Sequence, residues 1–329
     1  MSGRDLMMGR LGLNFFLIAS NNFLEPMKKS YFLLGPLLFL ALVIGKSQNK
    51  VTPQAYSLSG KPLFSSAPDA KTRKKNDSVI QTIQAKGNLT EDDFIEMGKQ
   101  LVATSRYKEA VEKYTNGLNK FPESFKILRH RGHRYLTLRK LNLAVADLLK
   151  ARELIKSQPD VWDFDAKGDK TDTYQHQIEY HLGVYYFLKE SYNEAVAEFE
   201  KNLKDAHEGN EIVGTADWLY NSYQRNGQRV EAEKLLTTIP QDLNADKDQA
   251  YFRRIMLYKG VIKPNELVNE ALPVDKMSIQ DVTKLYGLAN WYSFQGDKEK
   301  AKELYAKIIQ SNSWPAFAYL ASETEFLKK

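Results

Sequence analysis

The densest run of chemically capable side chains is Arg129-His130-Arg131-Gly132-His133-Arg134. If this run is helical, residues 129 and 133 share one face and residues 130 and 134 another. Such a face could hold an extended peptide end or a small anionic or hydroxylated ligand through charge-assisted hydrogen bonds. A second run, Asp163-x-Asp165-x-Lys167-Gly168-Asp169, begins like a calcium loop. A calcium loop needs an oxygen ligand at its fifth position and a bidentate Glu at its twelfth. Those positions are Lys167 and Tyr174, so the reading is a solvated acidic turn. Of the five histidines, His133 and His181 are the two that could meet, but no HExxH or carboxylate triad accompanies them, and no metal site is expected.

Other chemistries are excluded by what is missing. The chain has no cysteine, which removes disulfides, thiolate metal sites and a cysteine nucleophile. It contains no GxSxG elbow, phosphate-binding P-loop or dinucleotide fingerprint, so no catalytic residue and no cofactor is expected. The formal charge is +6, but about half of it falls in residues 1–47 (Arg4, Arg10, Lys28, Lys29 and Lys46 against Asp5 and Glu25). The remainder is too dilute for a nucleic-acid partner. With 43% hydrophobic and 27% charged residues, the chain can bury a core.

The elements that would position these residues recur along the chain. FIEMGKQLVATSRYKEAVEKYTNGLNKFP is followed by ILRHRGHRYLTLRKLNLAVADLLKAREL. Gly98 and Gly132 lie 34 residues apart, as do Leu101 and Tyr135, Ala110 and Ala144, and Tyr114 and Leu148. A period of that length marks a helix–turn–helix array. Gly183, Tyr186, Ala195 and Phe199 repeat the pattern, as do Leu219, Tyr223, Ala232 and Leu236 more weakly, and Leu288, Ala289, Tyr292, Ala301 and Tyr305 near the end. The small residues let paired helices approach, and the large ones fill the space around them. Trp218 and Trp291 are expected as core plugs.

These segments resemble the tetratricopeptide repeat (TPR) family. The resemblance implies an all-α fold: a right-handed superhelical solenoid of helix-turn-helix repeats near 91–124, 125–158, 176–209 and 213–246. A degenerate repeat over 247–281, a last one over 282–315 and a capping helix over 315–327 complete it. The degenerate repeat should hold helices near 247–259 and 264–271. Gly132 and Gly183 are 51 residues apart rather than 34, an insertion of 17 that falls at SQPDVWDFDAKGDKTDTYQ. Inserted loops in such arrays project from one face and often serve binding.

The same resemblance assigns the second, fifth, ninth and twelfth positions of each first helix to a concave groove. On this chain those positions give Arg129, His133, Tyr180, Asp217, Asn221, Tyr286 and Asn290 as candidate groove residues, with the fifth positions in a row. The carboxylate clamp of one variant of the family is not expected, because Ile95 and Lys99 stand where it needs Lys and Asn.

The N-terminal part reads differently. From Met27 the chain runs MKKSYFLLGPLLFLALVIGKSQ, with Lys28 and Lys29 before an apolar run of 15 residues, Tyr31–Gly45, and small residues before Gln48. That is the pattern of a cleaved secretory signal over 27–47, which makes 1–26 a mis-assigned leader and places the rest in the periplasm or cell envelope. The run is short for a bilayer span, so no stable membrane span is expected after cleavage. Residues 48–68, rich in Ser, Pro and Lys, read as a linker, with the array over 69–329.

The leading expectation is a non-enzymatic, monomeric scaffold of the bacterial envelope that holds a protein or peptide partner in its groove. The alternative is a small-molecule binding or catalytic protein with a pocket beneath the 158–175 loop.

Overall fold

The helical periodicity of the sequence becomes fourteen α-helices in the computed structural model, which describes residues 52–65 and 68–328. The expected leader and signal, 1–47, lie outside the described residues. The chain is mostly helical, with two small two-stranded ribbons. The first ribbon, β1 (Ala55–Tyr56) with β2 (Pro62–Leu63), lies inside the stretch expected as a linker. It is followed by α1 (Ala70–Gln84), α2 (Glu91–Ala103), α3 (Tyr107–Lys120), α4 (Phe125–Thr137) and α5 (Leu141–Ile155). The inserted segment forms a β-hairpin, β3 (Trp162–Phe164) with β4 (Lys170–Thr173), that leads directly into α6 (Tyr174–Leu188).

Beyond it come α7 (Tyr192–Lys204), α8 (Gly209–Arg225), α9 (Arg229–Thr238), α10 (Gln249–Tyr258) and α11 (Pro264–Leu267). A 3-10 turn (Val274–Lys276), α12 (Ile279–Phe294), α13 (Lys298–Ile308) and α14 (Phe317–Leu327) complete the order. The helix expected over 264–271 stops at Leu267. There Val268 turns extended (φ −152°, ψ 148°), and Leu267 and Val268 are both buried. Among the described residues, no helix is long and apolar enough to cross a membrane.

Local chemistry sets the helix ends. Thr90 and Asp93 close a capping box on α2, Ser124 caps α4, Thr173 caps α6, and Ser278 with Asp281 caps α12. The helices α2, α4, α6, α8, α10 and α12 all end alike. Each is followed by a residue of left-handed conformation: Ser105, Arg139, Glu190, Gly227, Gly260 and Gly296. In each case the next N–H reaches back five residues, as in Arg106 to Leu101 and Asp297 to Tyr292. This is the glycine-type C-cap that turns a helix sharply into its partner.

Helix pairs then pack closely. A Cβ on Gly98 would stand 2.1 Å from the Tyr114 ring, and one on Gly183 would stand 2.6 Å from the Phe199 ring. These glycines are where α2 meets α3 and α6 meets α7. Fully buried side chains such as Leu101, Tyr114, Leu148 and Phe199 fill the same seams. Trp218 is wholly buried, in edge contact with Phe187, while Trp291 is half-buried.

The C-terminal helix does more than follow α13. It packs on α6 and α12 as well, with a buried Arg139–Glu323 pair at 3.1 Å and an Arg225–Glu325 pair at 2.8 Å. The Trp314 indole N–H donates to the Phe64 carbonyl at 2.7 Å, which ties the β1–β2 segment to the start of this helix.

Candidate functional site

Helix α4 directs its basic run inward because Gly132 must face Leu148 of α5, where a Cβ would stand 2.9 Å from Leu148 Cγ. That rotation places Arg129, His130, His133 and Arg134 on a cavity of about 990 Å³. Helix α6, capped by Thr173 at the foot of the hairpin, supplies His176, Gln177, Tyr180 and His181. Phe317 of α14 closes one side, and Asp163–Lys167 with Thr171 and Asp172 form the hairpin side.

The hairpin is fastened by one carboxylate. Asp163 is 4% exposed and accepts from Lys99 Nζ at 2.7 Å, Tyr174 Oη at 3.0 Å and Arg129 Nη1 at 3.2 Å. Lys99 also donates to the Phe164 carbonyl. Arg129 Nη1 donates to His130 Nδ1 at 3.0 Å, and His130 Nε2 lies 3.3 Å from the Tyr174 hydroxyl. That chain of donors requires a neutral His130, and burial does push its imidazole down, to about 4. Burial alone would raise the Asp163 carboxyl, but the neutral His130 N–H facing it and the Arg129 and Lys99 cations outweigh it and hold it well below the ordinary carboxylate range. The acidic turn expected here therefore splits. Asp165 does cap the turn, accepting from the Lys167 and Asp169 N–H groups, whereas Asp163 is a buried latch.

His133 and His181 meet, with ring centres 4.2 Å apart, and Phe317 packs on both. Burial pushes each imidazole well below its ordinary value, and the nearby arginines push the same way. His181 Nδ1 donates to the Gln177 carbonyl. Neither ring hydrogen-bonds to a carboxylate or a hydroxyl among the described residues. Among the described residues no group of three His, Asp or Glu side chains could hold a metal ion.

The far wall carries the acids. His176 Nδ1 donates to Asp172 at 2.7 Å, which raises the imidazole against the effect of burial. Glu211 accepts from the His207 and Glu208 N–H groups at the start of α8. Burial, with Asp172 nearby, raises the Asp248 carboxyl to about 6.

Of the seven residues expected along a groove, Arg129, His133 and Tyr180 line this cavity. The other four do not. Asp217, Asn221, Tyr286 and Asn290 are wholly buried in a network joining α8, α10, α12 and α14. Asp217 Oδ2 lies 2.8 Å from Arg254 Nη2, and neither side chain is exposed. Asn290 donates to Asn221 Oδ1 at 2.7 Å and accepts from Tyr305 and Arg225 at 2.6 and 2.9 Å. Arg225 also reaches the Tyr286 hydroxyl, at 3.4 Å. The reason is steric as well as electrostatic: Arg254 from α10 fills the space over Gly287, where a Cβ would stand 2.4 Å from its side chain. Burial pushes the Asp217 carboxyl up, and Arg254 pulls it back down. These four residues hold helices together.

Asp163 and Arg134 are functional candidates that the groove positions did not mark, and Lys99, at a ninth position, figured only as a mismatch to the carboxylate clamp. Lys99 and Asp163 carried the signal of opposite charge without any cue to proximity. Arg134 had been placed on the other face of α4 from Arg129. No family model matches the chain, and no curated protein matches it.

Proposed function

We propose that this chain is an exported, non-enzymatic binding protein of TPR-like solenoid architecture, and that its ligand is a small molecule held in the cavity beneath the 158–175 hairpin. The six alike helix ends, at the spacing of the sequence repeat, support the architecture. The observation that carries the binding reading is the cavity itself. At about 990 Å³ it has the size of a small-molecule site. It is walled mainly by α1, α2, α4, α6 and α8, by α14 and by a hairpin that a buried carboxylate fastens in place.

An extended peptide along an open groove fits less well. Helix α14 packs on α6 where such a segment would run, and four of the groove positions lie inside a hydrogen-bonded network. Binding is favoured over catalysis because His133 and His181 have no carboxylate partner, and the His176–Asp172 pair, which also lines the cavity, leaves His176 Nε2 without a hydrogen-bonded nucleophile among the described residues.

Gly214 supplies the test. It lines the cavity, and a Cβ there would meet only Tyr180, at 3.9 Å. Gly214→Trp should fill the cavity and leave the helices intact. In a thermal-shift screen of a metabolite library, compounds that raise the wild-type melting point should lose their effect on this variant. Hits that act equally on both proteins would overturn the proposal.

A further inference from the structure

The cavity has a charge asymmetry that its own residues do not resolve. At the α4 end, Lys99, Arg129 and Arg134 stand near Asp163, while Asp165, on the same hairpin, accepts from the N–H groups of its own turn. The Asp163 carboxylate is engaged by Lys99 and Arg129. Arg134 has no acidic partner and no hydrogen-bond acceptor among the described residues, and its guanidinium lies 5.7 Å from the Tyr107 ring. Arg129 Nε, in a residue only 8% exposed, also lacks an acceptor but is itself sealed from solvent. A guanidinium carries five donors in a fixed fork and cannot shed its charge. Leaving those donors unmatched beside a low-dielectric wall is costly, and an anion that supplies the acceptors removes the cost. His133 and His181, adjacent and neutral, add no competing charge.

The opposite wall disfavours an anion, since Asp172, Glu211 and Asp248 stand there and outnumber Lys247 and the His176 that donates to Asp172. Between the two ends the lining is apolar, with Val79, Val102, Ala103 and Phe317. From this arrangement, and resting on the cavity reading above, we infer that the ligand is an organic anion: an apolar body with one anionic head group seated against Arg134. The head lies at the α4 end because the acidic wall excludes it from the other.

Two fluorescent dyes separate the possibilities. Anilinonaphthalene sulfonate has an aromatic body and one anionic head, and N-phenylnaphthylamine has a similar body with no charge. The wild-type protein should bind the sulfonate about tenfold more tightly than the neutral dye. Arg134→Gln should erase that preference and Arg134→Lys should keep much of it. Should Arg134→Gln fail to fold, the wild-type preference and the Arg134→Lys variant still decide. Inorganic phosphate at the same concentration should leave the sulfonate in place; displacement would overturn the apolar body and mark an inorganic-anion site. Equal affinity for the two dyes, both blocked by Gly214→Trp, would overturn the anionic head and leave the cavity reading standing. Binding of neither dye, or binding of both that Gly214→Trp does not change, would overturn the cavity reading and this inference with it.

Discussion

The imidazole rings of His133 and His181 lie 4.2 Å apart, centre to centre, although α4 and α6 carry them on either side of the inserted hairpin. The contact is possible because both rings are neutral. Two imidazolium ions at that distance, with Arg129 and Arg134 close by, would repel strongly.

Acid should therefore weaken the contribution of these rings to stability before ordinary carboxylates titrate. In the unfolded chain these histidines take up protons near about pH 6.5. In the folded protein His130, His133 and His181 are all depressed. Between the folded and unfolded values the unfolded chain holds more protons, so stability falls as pH falls through about 6.5. His176 has the opposite sign: its raised value contributes stability below about pH 6.5 that is lost as pH rises through its folded value. The buried carboxyls of Asp217, raised to about 7, and Asp248, raised to about 6, also act in the opposite direction to the depressed imidazoles, so the sign is read from a difference between variants. In thermal melts between about pH 7 and about pH 5, the midpoint of His133→Phe should rise relative to that of the wild type as pH falls. A difference that stays constant over that range would contradict the burial of this ring.

Asp163 should behave as the latch of the hairpin. Removing it leaves Lys99 and Arg129 facing each other with no counter-charge, in side chains 15% and 10% exposed. Loss of one member of a buried charge cluster costs about 3–5 kcal/mol. Asp163→Ala should lower stability by roughly that amount in chemical denaturation and expose the hairpin to proteolysis. Asp165→Ala, at an exposed turn, should cost about 1 kcal/mol or less.

The glycines give opposite expectations at two positions. At Gly98 a methyl group would overlap the Tyr114 ring, so Gly98→Ala should cost about 1–3 kcal/mol or more. At Gly214, in mid-helix with open space beside it, Gly214→Ala should stabilise by about 0.5–1 kcal/mol. Melting points of the two variants should move in opposite directions.

Much of this was legible locally, and the rest was not, for a physical reason. The spacing of Gly98, Gly132 and Gly183 marks close helix contacts, and in the structure each faces the large residue of its partner helix: Tyr114, Leu148 and Phe199. The inward face of α4 follows from the same spacing, which is why Arg129 and His133 fall on the cavity. Asp217, Asn221, Tyr286 and Asn290 sit at equivalent positions and are nonetheless sealed, because Arg254 and Arg225 bond to them. Arg254 lies in the stretch with the weakest periodicity, so no local pattern announces it. Asp163 is similar. An aspartate among four others reads as solvent-facing, and only the three-dimensional approach of Lys99 and Arg129 makes it a buried anchor.

The left-handed turns allow a stabilising change. Three of the six hairpin turns use glycine, and Ser105, Arg139 and Glu190 occupy the same conformation at φ near 60°. An L-residue there costs about 1–2 kcal/mol, partly offset by the entropy that glycine loses on folding. Arg139 and Glu190 also hold ion pairs, with Glu323 and Lys328. Ser105 holds none among the described residues, so Ser105→Gly should raise stability by about 0.5–1 kcal/mol, read as a higher denaturation midpoint.

The central claim is that the space between α4, α6, α14 and the hairpin is a binding site with a cationic end. A crystal structure of the protein with bound anilinonaphthalene sulfonate addresses it most directly. The account expects the dye inside the cavity, its sulfonate within hydrogen-bond distance of Arg134 and its rings against Phe317. A dye bound only on the outer surface, with Arg134 turned onto an acidic side chain of the protein itself, would contradict it.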